Sequence, residues 1–372
     1  MSHSSTLSCL SFGLVFCFAS YSLAADADEK PLVEIQLSRN LRVPTISVST
    51  QAGDALFAID TGCSGLVIDH SLARLLVDNP QLVPAAADSF PLEVKLRAGG
   101  FQSTVDHACI QDLAPFRTNR PLPVLGIIGM NSLRPFRLRC DFDGEVFSIF
   151  EKSVVDKRES TQIFLAERGR PTIIAAIGTR SFPVLIDLGS EYGFEVPKGV
   201  FAGLDGPRVQ SITQSFTSSG VGQQGGYKQC SLRIGELQFR DLLVAESDGE
   251  YGVAGLEFLC RLNFDLDFTN KRMFYQKSKR FEARDNSTRF GLSLDSYSGT
   301  EVPHGFSVVL VSADSVAQKQ GIKPGDIVVS ATSNFYGTPS ADGLYTMLGL
   351  PQVDQVTVDV LREGKKLQFK FE

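Results

Sequence analysis

Ala58-Ile59-Asp60-Thr61-Gly62 recurs downstream as Leu185-Ile186-Asp187-Leu188-Gly189. In both copies one carboxylate follows an apolar run, at the same place. The match reaches upstream at the same offset, where Pro44-Thr45-Ile46 answers to Pro171-Thr172-Ile173. It resumes downstream with a one-residue slip. Gly126-Ile127-Ile128-Gly129 answers to Gly252-Val253-Ala254-Gly255, Leu133 to Leu259, and Asp141-Phe142 to Asp267-Phe268. A repeat of this length is too long for a solenoid unit and reads as two related lobes. Two lobes that each place one Asp at the end of an apolar strand invite a shared acid–base site between them.

Bulk properties narrow the partners. The chain has 372 residues, 43% hydrophobic and 21% charged, with 27 Phe and no Trp. This is the composition of a globular protein of two to three domains. The net charge of −6 is spread without a basic stripe, which argues against nucleic acid or an anionic membrane surface as partner. Residues 1–25 carry no Lys, Arg, Asp or Glu, and Leu10 to Ala19 is an apolar run. Ser22-Leu23-Ala24 is a small-x-small site ahead of Asp26-Ala27-Asp28. Residues 1–24 therefore read as a secretory signal peptide, which predicts export to the periplasm or the outside. Removal of Cys9 and Cys17 leaves Cys63, Cys109, Cys140, Cys230 and Cys260, an odd number without CxxC or zinc spacing. They read as buried structural cysteines, and no metal or cofactor is expected. His3, His70, His107 and His304 show no ligand spacing. No Gly-x-Ser-x-Gly elbow with a partner His is present, and Gly178 to Gly189 holds no phosphate-loop pattern.

Short strands divided by Gly, Pro, Asp and Ser predict a mainly β architecture. Val33 to Leu37 alternates as a half-buried strand does, Arg42 to Thr50 reads as a second strand, and Ala55 to Ile59 as a fully apolar third. Ser71 to Val77 suggests a brief helix. Lobe one is assigned to residues 31–152 and lobe two to 160–277. A charged stretch, Val154 to Ser160, lies between them. A polar linker then leads to a last domain, 286–372, of different texture. Its expected elements are strands at Phe306–Val311, Ile327–Val329 and Val356–Leu361, helices at Ser315–Gln320 and Ala341–Leu348, and a closing hairpin at Lys365–Phe369.

Asp followed by a small residue and Gly commonly makes only a turn, because Asp bonds its own backbone and Gly tolerates positive φ. Duplication gives the motif further meaning, since pseudo-twofold packing would bring Asp60 and Asp187 together. Two carboxylates about 3 Å apart cannot both ionise easily and share one proton. The ionised member can then take a proton from water while its partner polarises a carbonyl.

At Phe57-Ala58-Ile59-Asp60-Thr61-Gly62-Cys63-Ser64 and Ile127-Ile128-Gly129 the chain resembles the aspartic peptidases of the pepsin and retropepsin type. The resemblance spans both lobes. It implies two fused retropepsin-like units in an acid-protease fold, hydrolysing peptide or unfolded protein without cofactor. Asp60 and Asp187 match the catalytic positions, with Gly62 and Gly189 as the turn glycines. Thr61 matches a position whose hydroxyl, in that family, braces the other lobe's loop. Its counterpart Leu188 has no hydroxyl, so the reciprocal brace is missing. Ser190 stands opposite Cys63, which reads as a small filler. Flaps are expected at Gly99 and Gly100 in lobe one and at Gly220 and Gly222 in lobe two. Leu188 raises an alternative, that the lobes persist as a peptide-binding scaffold without catalysis. A matched second repeat argues against pairing with another copy, so a monomer is expected.

Gly305 to Val309, followed by Ser315 to Val328 with its Lys323-Pro324-Gly325-Asp326 turn, resembles a PDZ domain. Its texture is that of bacterial exported proteases. The resemblance implies a β/α module that receives a peptide C-terminus at Gly291, Leu292, Ser293 and Leu294, where backbone N–H groups cap a carboxylate and a strand edge pairs with the ligand.

Overall fold

A computed structural model describes residues 30–37, 43–114, 123–151, 158–191, 193–205, 213–217, 220–224, 227–247, 249–282, 292–297, 305–311, 315–333 and 355–371. The signal-peptide segment, Gly291 and the helix expected at Ala341–Leu348 lie outside these residues. The described chain is mainly β.

The first half contains β1 (Val33–Gln36), β2 (Thr45–Thr50), β3 (Gly53–Ile59), β4 (Leu66–Asp69), helix α1 (His70–Leu76), β5 (Ala87–Ala98), β6 (Phe101–Gln111), β7 (Val124–Ile128), helix α2 (Met130–Leu133), β8 (Arg137–Asp141) and β9 (Val146–Phe150). Strands β2 to β7 close into a barrel in the order β2-β3-β7-β4-β6-β5. β3 is apolar along its second part because both its faces are covered. Phe57 and Ile59 enter the main core, while Ala58 packs with Val67, Val124 and Ile127 on the other side.

The second half contains β10 (Glu159–Gln162), β11 (Phe164–Leu165), β12 (Pro171–Ile177), β13 (Arg180–Ile186), β14 (Phe194–Pro197), α3 (Lys198–Ala202), β15 (Thr213–Thr217), β16 (Gly220–Gln224), β17 (Tyr227–Ile234), β18 (Leu237–Ser247), β19 (Gly252–Ala254), α4 (Leu256–Leu259), β20 (Leu262–Asp267) and β21 (Arg272–Lys277). Its main sheet runs β12-β13-β19-β14-β18-β17, and β17 also pairs back to β12. Element for element this is the order of the first half. The parallel pairs correspond too: β3–β7 and β4–β6 in one, β13–β19 and β14–β18 in the other.

An antiparallel sheet, β1-β9-β8-β20-β21-β10, draws strands from both halves. They join at β8–β20, where Leu138 faces Leu266 and Arg139 faces Asp265. The Asp265 carboxylate is fully buried and takes Arg137, Arg139 at 3.0 Å and Arg158 at 3.1 Å. Arg137 also lies over the Phe150 ring, 4.1 Å from its centre. One apolar core runs through both halves.

The last segment has its own core. It contains β22 (Leu292–Tyr297), β23 (Gly305–Val311), α5 (Val316–Gln320), β24 (Ile327–Ser333), β25 (Val356–Arg362) and β26 (Lys365–Phe371), paired in chain order. Ser315 caps α5 through the Gln318 N–H, and Gly321 ends it in the left-handed region at φ 84°. At the Lys323–Asp326 turn the buried Asp326 accepts from Lys323 N–H and grips Arg362 with both oxygens at 2.6 Å. None of the described helices is long and apolar enough to cross a membrane.

Candidate active site

The two Asp loops leave β3 and β13, each beside a parallel neighbour. Asp60 N–H donates to the Ile128 carbonyl at 3.1 Å, and Asp187 N–H to the Ala254 carbonyl at 3.0 Å. The segments after β7 and β19 carry the loops from below. Met130 and Asn131 N–H donate to Cys63 and Ser64, while Leu256 N–H donates to Ser190 at 2.8 Å. A side chain on Gly129 would collide with the Cys63 and Gly65 carbonyls, so glycine is required there by close backbone approach.

Each loop glycine receives the opposite carboxylate. A methyl on Gly62 would strike the Asp187 carboxylate, and one on Gly189 would strike that of Asp60. The structure thus brings Asp60 and Asp187 together at the junction of the halves, each carboxylate against the other loop's glycine. Both residues remain partly exposed, as a site open to a ligand must be. Burial of the carboxyl raises Asp60 well above the usual carboxylate range, and the Asp187 charge adds to this. Burial raises Asp187 as well, but the Gly189 and Ser190 N–H groups, the Asp60 carboxyl and the Arg170 charge oppose it. The two carboxyls therefore titrate as one coupled pair that holds a proton above the usual carboxylate range.

Thr61 is fully buried. Its hydroxyl donates to the Ile186 carbonyl at 2.6 Å and accepts from Leu188 N–H at 3.0 Å. Leu188 lies fully buried in the main core and returns no side-chain bond. Ser190 contributes its backbone N–H and carbonyl to this arrangement. Cys63 N–H donates to Asp60 at 2.8 Å, and burial pushes its thiol up to about 12. That thiol is no nucleophile at neutral pH. The five described cysteines form no disulfide with one another.

The expected flaps differ from one another. Gly99 and Gly100 form the turn between β5 and β6, where Gly100 N–H donates to the Leu32 carbonyl at 2.9 Å. That turn is tied to the N-terminal segment. Its equivalent in the second half is the β17–β18 turn at Gly235. Gly220 and Gly222 lie on β16, facing Thr217 and Ser215 of β15 in a separate hairpin. In the last segment Leu292 and Leu294 point into the core, and β22 is the terminal strand of its sheet. Ser293 sits beside a register shift opposite Leu310.

Two neighbours of the pair escaped the sequence reading. Arg170 places its charge near Asp187, and Glu191 accepts from Val43 N–H across the halves at 3.1 Å. The repeat offset held the only clue, since it aligns Arg170 with Val43 and Glu191 with Ser64.

In the consecutive Asp69-His70-Ser71 run the Ser71 hydroxyl donates to the Asp69 carboxylate and not to His70. Asp69 caps α1 by accepting from Ser71 N–H at 2.9 Å and holds Leu113 N–H at 2.9 Å. Successive helical side chains do not face one another. Among the described residues neither His70 nor His107 hydrogen-bonds a serine.

No protein-family model matches the chain. It is 24% identical over 237 residues to the periplasmic serine endoprotease DegP of Escherichia coli strain K12, covering 60% of this chain and 49% of that protein. It is 25% identical over 237 residues to the DegP of Salmonella typhimurium, with the same coverage. The chain thus spans about half the length of the curated relatives it matches. These relatives are serine endoproteases by name, a class that attacks with an imidazole-activated hydroxyl rather than a carboxyl-held water. On that finding the pepsin and retropepsin assignment is corrected, and with it the aspartic endopeptidase activity and its Asp60/Asp187 water mechanism. The similarity does not favour the non-catalytic scaffold either.

Proposed function

We propose that the chain is an exported protein of the protease type that works on peptide or unfolded protein chains. Its candidate site is the carboxyl pair Asp60 and Asp187, read as a proton-sharing acid–base pair that holds a peptide group rather than as the attacking machinery. Loop support comes from Thr61, Gly62, Gly189 and Ser190. The modules are two related β lobes, 31–152 and 160–277, and a PDZ-like docking module, 286–372. The similarity to periplasmic endoproteases supports export and a protein substrate. The single observation that carries the site is the packing of each carboxylate against the opposite loop glycine at the junction of the halves. One proton shared between two carboxyls offers a donor and an acceptor side by side. A peptide group presents the complementary acceptor and donor, its C=O and N–H. β22 is the terminal strand of its sheet, and docking of a peptide C-terminus is assigned to Gly291, Leu292, Ser293 and Leu294 there.

The test is cleavage of a reduced and alkylated unfolded protein by the purified full chain. Asp60→Asn and Asp187→Asn are compared with the unaltered protein, alongside labelling by a serine-directed fluorophosphonate. The reading expects cleavage by the unaltered chain, lowered in each variant because the pair holds the peptide group. Undiminished cleavage in both variants would sink it. Fluorophosphonate labelling that abolishes cleavage would place the attacking group on a serine, as the names of the similar proteins suggest.

A further inference from the structure

Because the halves repeat at one offset, each bond across their junction has a counterpart position. Asp60 answers to Asp187, Thr61 to Leu188, Ser64 to Glu191 and Val43 to Arg170. Thr61 crosses from the first half and holds Ile186 and Leu188 of the second. The reciprocal bond cannot form, because Leu188 has no hydroxyl and is enclosed by core residues. The second half nevertheless reaches back, from further along the same loop. Glu191 Oε1 accepts from Val43 N–H at 3.1 Å. Val43 leads into Pro44, whose carbonyl accepts from Ile59 N–H at 2.8 Å, and Ile59 directly precedes Asp60. At the other end, Ser190 is anchored by Leu256 N–H at 2.8 Å. The Glu191–Val43 bond therefore links the loop of Asp187 to the backbone that backs Asp60. Ser64, at the matching place in the first half, has a side chain two carbons shorter. On the half where the hydroxyl is absent, a long carboxylate is present.

We infer that Glu191 is a positioning residue that replaces the missing Leu188 brace and fixes the approach of Asp60 to Asp187. The inference rests on the acid–base reading of that pair. Glu191 acts through the two loops, and not by contact with substrate. An ionised acceptor on a backbone N–H makes a stronger bond than a neutral one, which suits a brace that stands in for a hydroxyl.

Glu191→Ala and Glu191→Gln in the full chain test this. Three quantities are read: the titration of the Asp60 and Asp187 carboxyl carbons by NMR, kcat and KM on an unfolded protein, and the thermal midpoint. In the unaltered chain the pair titrates in two well-separated steps. Glu191→Ala is expected to narrow that separation and lower kcat about tenfold to a hundredfold, with KM nearly unchanged. Glu191→Gln keeps an oxygen acceptor for Val43 and is expected to restore most of both. Should the Ala variant not fold, Glu191→Asp reads the same quantities, since it keeps the charge and withdraws the acceptor by one methylene. An Ala or Asp variant with unaltered separation and kcat overturns the inference. So does a Gln variant as impaired as Ala. Two ordinary carboxyl titrations in the unaltered chain would defeat the acid–base reading, and the brace with it.

Discussion

Asp60 and Asp187 carry the same side chain in duplicated loops, yet they do not have the same chemistry. Burial raises both; the Cys63 and Gly62 N–H groups oppose this at Asp60 as those of Gly189 and Ser190 do at Asp187, where alone the Arg170 charge opposes it too. An acid held above its usual value keeps its proton in the folded state where the unfolded chain has released it. Stability then falls as pH rises from the unfolded value, about 4, toward the raised folded one. Asp60→Asn removes that loss. Its thermal midpoint at pH 7 is expected above that of the unaltered protein, by about 2–4 °C for each kcal/mol relieved. The difference should shrink toward about pH 3, where both forms are neutral. Calorimetry across that range checks it, and a midpoint for the variant below the unaltered one at pH 7 would contradict it.

At the scale of elements, the loops depend on contacts too close for any side chain. Gly62 and Gly189 are needed for the space they leave to the opposite carboxylate. Gly189→Ala is expected to force the pair apart, to cost about 1–3 kcal/mol in urea unfolding, and to abolish the separated titration of the two acids. A stable variant with an unchanged titration would show that the carboxylates are not in contact. Much of this was legible in the sequence. The apolar run to Ile59, the Gly that follows each Asp and the Ile127-Ile128-Gly129 support all announced themselves by repetition. The fate of Gly99 and Gly100 was not legible, because a Gly-rich turn reads alike wherever it lands. Only the register of β5 and β6 carries it to Leu32. The Glu191–Val43 contact was equally hidden, since those residues meet only once the halves have packed.

For the whole molecule, the duplication seen in the sequence reappears as two sheets that share one order over six strands, with β11 a seventh in the second, joined by a shared sheet around Asp265. Arg137 and Arg139 come from the first half and Asp265 from the second, so that buried cluster holds the halves in register. Asp265→Asn leaves guanidinium groups buried without their carboxylate and is expected to cost about 3–5 kcal/mol, measured by urea unfolding. A loss below 1 kcal/mol would deny it that role. Family membership was the least secure inference from sequence. Asp-Thr-Gly is a short motif, and the relatives named by similarity belong to the serine class of endoproteases. What remains central is a physical claim about two acids, and carboxyl-carbon NMR of the full chain, titrated with pH, tests it most directly. The account predicts two widely separated steps, the upper one above the usual carboxylate range and lost in Asp60→Asn. Two independent titrations near the ordinary value of about 4 would contradict it.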